Sequence, residues 1–280
     1  MTANFRTDLA AEMRERSGSG ELRGVTAREW ERGGYQITRV DILDDEGSKK
    51  LCKPIGSYIT LSSAALAERR PEAFNDGAEA LAELIRGLLP EPGGLTLAAG
   101  LGNAAMTPDA VGPLAMEYVL ATRHLKSAAP EAVQGLSPVC IARPGVLGST
   151  GIESAELLAS LVRLTKPAQL VVVDALAAAS LDRLCSTVQL SDAGIVPGSG
   201  VGNDRAAISR DTLGVPVLAL GVPTVVDAAS FSDEEAARGM FVTPRDIDAS
   251  VRSLAKLIGY AINLALHEGL TIADIDMLKA

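Results

Sequence analysis

Aromatic side chains are scarce in this chain of 280 residues, at 3% of the total with one tryptophan. Hydrophobic residues still reach 47%, so a sizeable core is available and must be built from alanine, valine, leucine and isoleucine. Basic residues are fewer than acidic ones, and the formal net charge is −9. A surface of that sign repels a phosphate backbone, which argues against direct nucleic-acid binding as the main task.

Cysteine is rare and dispersed. Cys52, Cys140 and Cys185 stand far apart with no Cys-x-x-Cys pair, which is typical of reduced thiols in a cytosol. The amino-terminal stretch MTANFRTDLAAEMRER is charged, so no signal peptide is expected. No run of about 18 uncharged apolar residues appears, so no membrane span is expected either. These absences favour a cytoplasmic location.

Histidine is limited to His124 and His267, both where helices are predicted to end. There a histidine cation would complement the negative end of the helix dipole. Neither follows a strand, as a Ser–His–Asp triad would require, and no Gly-x-Ser-x-Gly elbow occurs. Cysteine clusters and His-Glu-x-x-His are missing, so no metal or other cofactor is expected. Cys140 and Cys185 fall in a predicted strand and a predicted helix, which is typical of buried thiols.

Short apolar strands alternate with loops and helices through most of the chain. This pattern predicts a parallel sheet covered on both faces. We therefore expect a single α/β domain with a mostly parallel, mixed sheet flanked by helices. Residues 1–34 are predicted to form a helical or loose arm outside the core. Strands are predicted at Gln36–Leu43 and Tyr58–Leu61 and in the runs LTLAAG, SPVCIA, LVVVD and PVLALGVPTVVD, and ALAAASLDRL after LVVVD is predicted to be a helix.

Carboxylates are the reactive groups that remain at the predicted strand ends, where ligands of such sheets bind. Asp109 lies in the loop that follows LTLAAG, and Asp174 ends LVVVD. Two acids that converge there would share a proton, because close like charges do not both ionise. Such a pair suits water-mediated amide hydrolysis. Helix capping is the plainer interpretation of both, as it is of Asp192 and Asp227.

Glycine is concentrated in IVPGSGVGND, which holds Gly198, Gly200 and Gly202. The spacing matches neither the dinucleotide fingerprint nor the phosphate-binding loop. Tight turns that need positive φ are the plainer interpretation. The functional interpretation is a nest of backbone N–H groups that stabilises an oxyanion, with Asn103 helping to position the site.

Long motifs in a fixed order resemble the germination protease family of spore-forming bacteria. The resemblance covers the chain from about residue 6 to the carboxyl terminus. It implies an α/β fold similar to the hydrogenase maturation peptidases and an unusual aspartic-type endopeptidase whose two catalytic aspartates match Asp109 and Asp174. The motifs are GLGNxxxTPDAxGP, PGVLGSTGIES, VVVDALAAxS, TVQLSDAGIVPGSGVGN, TLGVPVLALGVPTVVDA and FVTPRDID.

The same resemblance implies a substrate class and a processing step. Members degrade small acid-soluble spore proteins during germination, in the spore core, and assemble as homo-oligomers. They are made as precursors, which implies a prosegment at residues 1–8, a cut between Asp8 and Leu9, and a protease domain at residues 9–280. The stretch TDLAAE, Thr7–Glu12, would then be a substrate mimic rather than the start of a helix. Ala179 stands where the family motif carries arginine.

Two other functions stay open. A metal-dependent peptidase of the maturation type would use the same aspartates as ligands. A non-enzymatic module would bind an anion or a nucleotide through the glycine-rich loops, although the phosphate-binding fingerprint is missing.

Overall fold

The computed structural model describes residues 7–18, 22–67, 70–90, 93–129, 131, 135–203, 205–232, 237 and 239–279. Residues 1–6 of the predicted prosegment therefore lie outside the described residues. Within the described part, no helix is long and apolar enough to cross a membrane. The strands are β1 Val25–Arg32, β2 Tyr35–Ile42, β3 Gly56–Ser62, β4 Thr96–Leu101, β5 Val139–Gly145, β6 Gln169–Ala178, β7 Thr187–Ser191, β8 Val217–Asp227 and β9 Phe241–Val242.

These described strands form one mixed sheet in the order β1-β2-β3-β7-β8-β6-β4-β5, with β9 paired to the end of β8. The neighbours β8, β6, β4 and β5 run parallel. The other neighbouring pairs are antiparallel. The prediction of a single α/β domain with a mixed sheet is confirmed, and the parallel order is restricted to the half that carries Asp174.

Helices cover both faces of the sheet. One face packs against α4, α5 and α10 in the larger core cluster, and the other face packs against α1, α2, α8 and α9 in smaller clusters. The helices are α1 Ala10–Arg16, α2 Asp45–Leu51, α3 Ala64–Ala67, α4 Pro71–Leu88, α5 Val111–Tyr118, α6 Leu125–Ala128, α7 Leu147–Thr150, α8 Ser154–Thr165, α9 Arg210–Leu213, α10 Ile247–Leu266 and α11 Ile272–Lys279.

The prediction of a helix directly after Asp174 is wrong. Strand β6 continues through Asp174 to Ala178 and stays paired with β8 as far as Val226. Its alanines favour a helix by intrinsic propensity, but Leu176 and Ala178 are buried in a core cluster on the sheet, and this packing prevails. Cys185 is also predicted to lie on a helix. It instead lies after the 3₁₀ turn Leu181–Arg183, and its own φ is +52°.

The prediction that residues 1–34 stay outside the core is also wrong in part. Leu9 and Ala10 are completely buried. Strand β1, by contrast, is exposed along almost all of its length at the edge of the sheet. The many charged residues of the arm favoured an exposed position, but the apolar residues Leu9 and Ala10 among them are buried.

His267 does not act as a cation at a helix end, as its position predicted. It is completely buried, and its Nδ1 accepts a hydrogen bond of 3.2 Å from the N–H of Ser137. Burial, followed by the positive charge of Lys126, lowers the pKa of His267 from 6.5 to about 4. A neutral imidazole therefore belongs to the folded state, and protonation favours unfolding.

We expect His267→Asn to flatten the dependence of stability on pH. Between pH 6.5 and about 4 the unfolded wild-type chain binds a proton that the folded chain excludes. The contribution of His267 to the free energy of unfolding is therefore fully present above pH 6.5. It declines by up to about 3 kcal/mol as the pH falls. Urea unfolding at a series of pH values measures the slope. His124→Asn, at an exposed histidine, is the matched control, and equal slopes in all three proteins would contradict the expectation.

Candidate active site

Asp174 lies inside β6 and is only 4% exposed. Burial raises the pKa of Asp174 well above its usual range, and the negative charges of Asp109 and Asp8 raise it further. The backbone N–H of Ala175 acts in the opposite direction but does not reverse the shift. Asp174 therefore keeps its proton to a higher pH than an exposed aspartate does.

Asp109 ends a 3₁₀ turn, Thr107–Asp109, in the loop that follows β4. The N–H of Asn103 donates a hydrogen bond of 2.8 Å to Oδ2 of Asp109. Gly102 has a φ of +105°, and a Cβ at this position would lie 2.1 Å from the carbonyl oxygen of Asp109, so the loop requires glycine. Burial raises the pKa of Asp109, and the Asn103 N–H opposes this by stabilising the carboxylate.

The structure brings these two predicted aspartates together. Asp109 and Asp174 line the same cavity, which has a volume of about 630 Å³. Each accepts a hydrogen bond from one backbone N–H, but Asp174 is the more deeply buried of the two and also feels the negative charges of Asp109 and Asp8. A pair with proton affinities pushed apart can supply one base and one acid.

The other predicted site residues are Asn103 and three glycines, and they differ in what they contact. The side chain of Asn103 accepts from the N–H of Ala105 at 3.0 Å, and its backbone N–H is the group that contacts Asp109. Gly198 and Gly202 have φ values of +78° and +71° on either side of a 3₁₀ turn, as expected for turn glycines. Gly200 faces the side chain of Asp8. The role of all four as substrate or oxyanion ligands stays a prediction.

Asp192 and Asp227 have structural roles outside the pair. Oδ1 of Asp192 accepts from the N–H of Ser57 at 2.7 Å, which ties β7 to β3. Oδ1 of Asp227 accepts from the N–H of Ala229 at 3.0 Å and caps the turn after β8. The capping interpretation holds for Asp227.

The chain's own amino-terminal segment forms part of the wall of the cavity through Asp8. The N–H of Asp8 donates to the carbonyl oxygen of Ala177 at 2.9 Å, and the N–H of Ala177 donates to Oδ2 of Asp8 at 2.9 Å. The hydroxyl of Ser199 donates to Oδ1 at 2.6 Å. A Cβ at Gly200 would lie 2.1 Å from Oδ2, so the missing side chain leaves room for this carboxylate.

The residues after Asp8 are held as firmly. Leu9 is completely buried, and α1 begins directly after it at Ala10. Glu12 accepts hydrogen bonds from the N–H groups of Ala179 at 2.8 Å and Ser180 at 3.0 Å. TDLAAE is therefore both a helix start and a docked segment. The apolar pocket around Leu9 is formed by Leu176, Ala178, Leu184, Ile195 and Val226.

Gln189 is a site residue that the sequence analysis missed. It lies on β7, and its side-chain amide contacts the docked segment twice. Nε2 donates to the carbonyl oxygen of Asp8 at 2.9 Å, and Oε1 accepts from the N–H of Ala10 at 2.7 Å. The one signal in the sequence was a polar residue inside the apolar run TVQL.

Metal ligation has no candidate cluster in the part of the chain that the structure describes. No group of three or more His, Cys, Asp or Glu side chains there is placed to hold an ion. The fold and the site together define an α/β domain that holds a peptide segment beside two carboxyls of unequal proton affinity. This is the class of site suited to hydrolysis of a peptide bond.

Comparison with known proteins agrees with this class. A family model described as germination protease matches residues 5–237. The germination protease of Caldanaerobacter subterraneus subsp. tengcongensis is 39% identical, and that of Clostridium tetani is 36% identical, each alignment covering 98% of both chains. The germination protease of Bacillus mycoides is 44% identical over 82% of this chain and 65% of its own length.

The chain therefore belongs to the germination protease family and is a protease. Among solved structures, the [NiFe] hydrogenase maturation protease HycI from Thermococcus kodakarensis is similar over 64% of this chain and 98% of its own. At 18% identity and a TM-score of 0.39 that likeness is too weak to bear on activity.

Proposed function

We propose that this protein is an endopeptidase that begins the degradation of small acid-soluble spore proteins during germination. It is made as a precursor, and it removes residues 1–8 by cutting its own Asp8–Leu9 bond. Family membership supports the protease class. The observation that carries the processing step is the position of Asp8, which lines the same cavity as Asp109 and Asp174.

The proposed reaction uses the unequal proton affinities of the two aspartates. Ionised Asp109 takes a proton from a water molecule, whose oxygen attacks the carbonyl carbon of Asp8, while protonated Asp174 donates its proton to the carbonyl oxygen. When the intermediate collapses, the carbonyl oxygen returns a proton to Asp174. The proton held by Asp109 passes to the nitrogen of Leu9 as the C–N bond breaks. The raised pKa of Asp174 supports the assignment of the acid.

Substrates in this proposal bind as the docked segment does. An acidic side chain takes the place of Asp8, an apolar one that of Leu9, and a second acid that of Glu12. The N–H groups of Ala179 and Ser180 then serve as ligands for the second acid. Before cleavage the segment fills these positions and keeps substrates out. Cleavage removes Asp8 with residues 1–8, and the new amino terminus at Leu9 then withdraws, with Glu12, when a substrate binds. Location in the spore core and assembly as a homo-oligomer, without direct nucleic-acid or membrane binding, belong to the same proposal.

Intact-mass analysis of the full chain, incubated from acidic to neutral pH, tests the proposal. The expected product lacks residues 1–8 and begins at Leu9. A peptide with the sequence of Arg6–Met13 should be cut at the same bond, whereas a control peptide with Asp8 and Leu9 exchanged should stay intact. A chain that remains uncut, or a mature amino terminus at another residue, would contradict it.

A further inference from the structure

We infer that Gln189 is a third catalytic residue, which stabilises the negative charge that develops on the carbonyl oxygen of the bond to be cut. The inference rests on the proposed cleavage between Asp8 and Leu9. It assigns to a strand side chain the oxyanion role that the sequence suggested for the glycine-rich loop.

The contacts of Gln189 bracket the bond. Its Nε2 donates to the carbonyl oxygen of Asp8 at 2.9 Å, which is the oxygen of that peptide group. Its Oε1 accepts from the N–H of Ala10 at 2.7 Å, one residue beyond the bond. A carbonyl partner and an N–H partner fix which end of the amide is nitrogen and which is oxygen. Gln189 thus sets the register of the segment and polarises its carbonyl at the same time.

The sheet register places Gln189 opposite the acid of the pair. Gln189 pairs with Gly221 on β8, and Gly221 pairs with Asp174 on β6. Residues paired across a sheet project to the same face, so the side chains of Gln189 and Asp174 share one face. Two strand spacings separate their backbones by about 10 Å. The side chain of Leu176 lies over Gly221, between the two. Gln189 and the two aspartates line neighbouring cavities that share Asp8.

An amide is well suited to this position. The carbonyl oxygen gains negative charge as water attacks, and a fixed donor in a buried site stabilises that charge without reorganisation. Gln189 is only 7% exposed, so water competes little for its N–H. Unlike a carboxyl, the amide keeps its donor at every pH, so it does not titrate with Asp109 and Asp174.

The first test is the rate of self-cleavage in Gln189→Met, which has a similar size and no donor. We expect a rate about 10²–10³-fold below wild type, as for loss of one oxyanion donor. The reaction is intramolecular, because the segment is part of the chain, so the first-order rate constant reports the chemical step more than binding affinity. Thermal unfolding of each protein checks that the variant is folded.

The second test separates catalysis from positioning through Gln189→Glu. The introduced carboxyl retains an oxygen for the N–H of Ala10, but when ionised it places an acceptor against the carbonyl of Asp8. When protonated it regains a donor. We therefore expect the ratio of its rate to the wild-type rate to rise as the pH falls. Gln36→Glu, at an exposed glutamine on β2, is the control and should keep a constant ratio near one.

The outcomes distinguish the two proposals. A wild-type chain that never cuts itself overturns the proposed function and this inference with it. A wild-type chain that cuts, together with a Gln189→Met chain that cuts equally fast, overturns the inference alone. If both variants are slowed by the same factor at every pH, Gln189 holds the segment and is not a catalytic residue.

Discussion

Asp109→Asn is expected to slow self-cleavage at Asp8–Leu9 by about 10³–10⁴-fold, the upper part of the range for a lost general base. The amide cannot take a proton from water. It retains an oxygen that can accept the 2.8 Å hydrogen bond from the N–H of Asn103, so the loop after β4 should keep its shape. Quantifying cut and uncut chain by mass over time gives the rate constant.

Asp174→Asn is expected to slow the same reaction by about 10²–10⁴-fold, because the amide donates a hydrogen bond but does not release its proton. The pH profiles distinguish the two aspartates. In the wild-type protein the rate rises as Asp109 ionises, because its pKa is raised by burial, and falls as Asp174, whose pKa is raised further, loses its proton at higher pH. Burial is the main cause of the raised pKa of Asp174, and Asp109→Asn removes the larger of the two negative charges that add to it, so the falling limb should move to lower pH.

Stability supplies an independent readout for Asp174. Its folded pKa is raised, so the stability associated with its protonated form is present below the unfolded pKa and is lost as the pH rises through the folded pKa. Asp174→Asn cannot ionise and should be more stable than wild type at alkaline pH. Asp211→Asn, at an exposed carboxylate, is the control for both rate and stability. An Asp174→Asn chain that keeps a tenth of the wild-type rate would contradict its role as the acid.

The convergence of Asp109 and Asp174 could be predicted because the carboxyl ends of parallel strands meet at one edge of a sheet. The local structure around Asp174 could not. Its strand continues to Ala178, whereas the pairing of β4 with β6 ends at Val173. Strand β6 therefore extends beyond its neighbour, and Ala177 bonds with Asp8 in that extension. Intrinsic propensity favoured a helix there, and the non-local pairing with β8 decided otherwise.

The role of Gln189 was beyond prediction for a related reason. A glutamine inside an apolar strand has many explanations until its partners are known. Here the partners are Asp8 and Ala10, about 180 residues away along the chain. The burial of Leu9 depends on the same non-local docking, so a charged and apparently loose arm contained a residue of the core. Motif and periodicity describe local sequence, and neither predicts which distant segment lines a cavity.

Leu9→Asp is expected to expel the amino-terminal segment from the cavity and to slow self-cleavage by more than about 10³-fold. Leu9 is completely buried in an apolar pocket, and truncation of such a leucine costs about 2–5 kcal/mol. A carboxylate in that pocket without a partner costs several kcal/mol more. The sum exceeds about 5 kcal/mol, which shifts the docking equilibrium by more than about 10³-fold. Leu9→Met, with nearly the same volume, is the control and should process at close to the wild-type rate.

The Leu9→Asp variant should lose self-cleavage and gain the ability to cleave an added peptide. With Asp8 out of the cavity, Asp109 and Asp174 are open to an added peptide, so the uncut Leu9→Asp chain should cleave the peptide Arg6–Met13, whereas an uncut wild-type chain should not. Opposite changes in the two activities require a folded protein whose own segment competes with substrate. If the segment were instead a structural part of the fold, Leu9→Asp would lower the melting temperature and abolish both activities. A folded variant that fails to cleave the added peptide would show that the segment does not block the site.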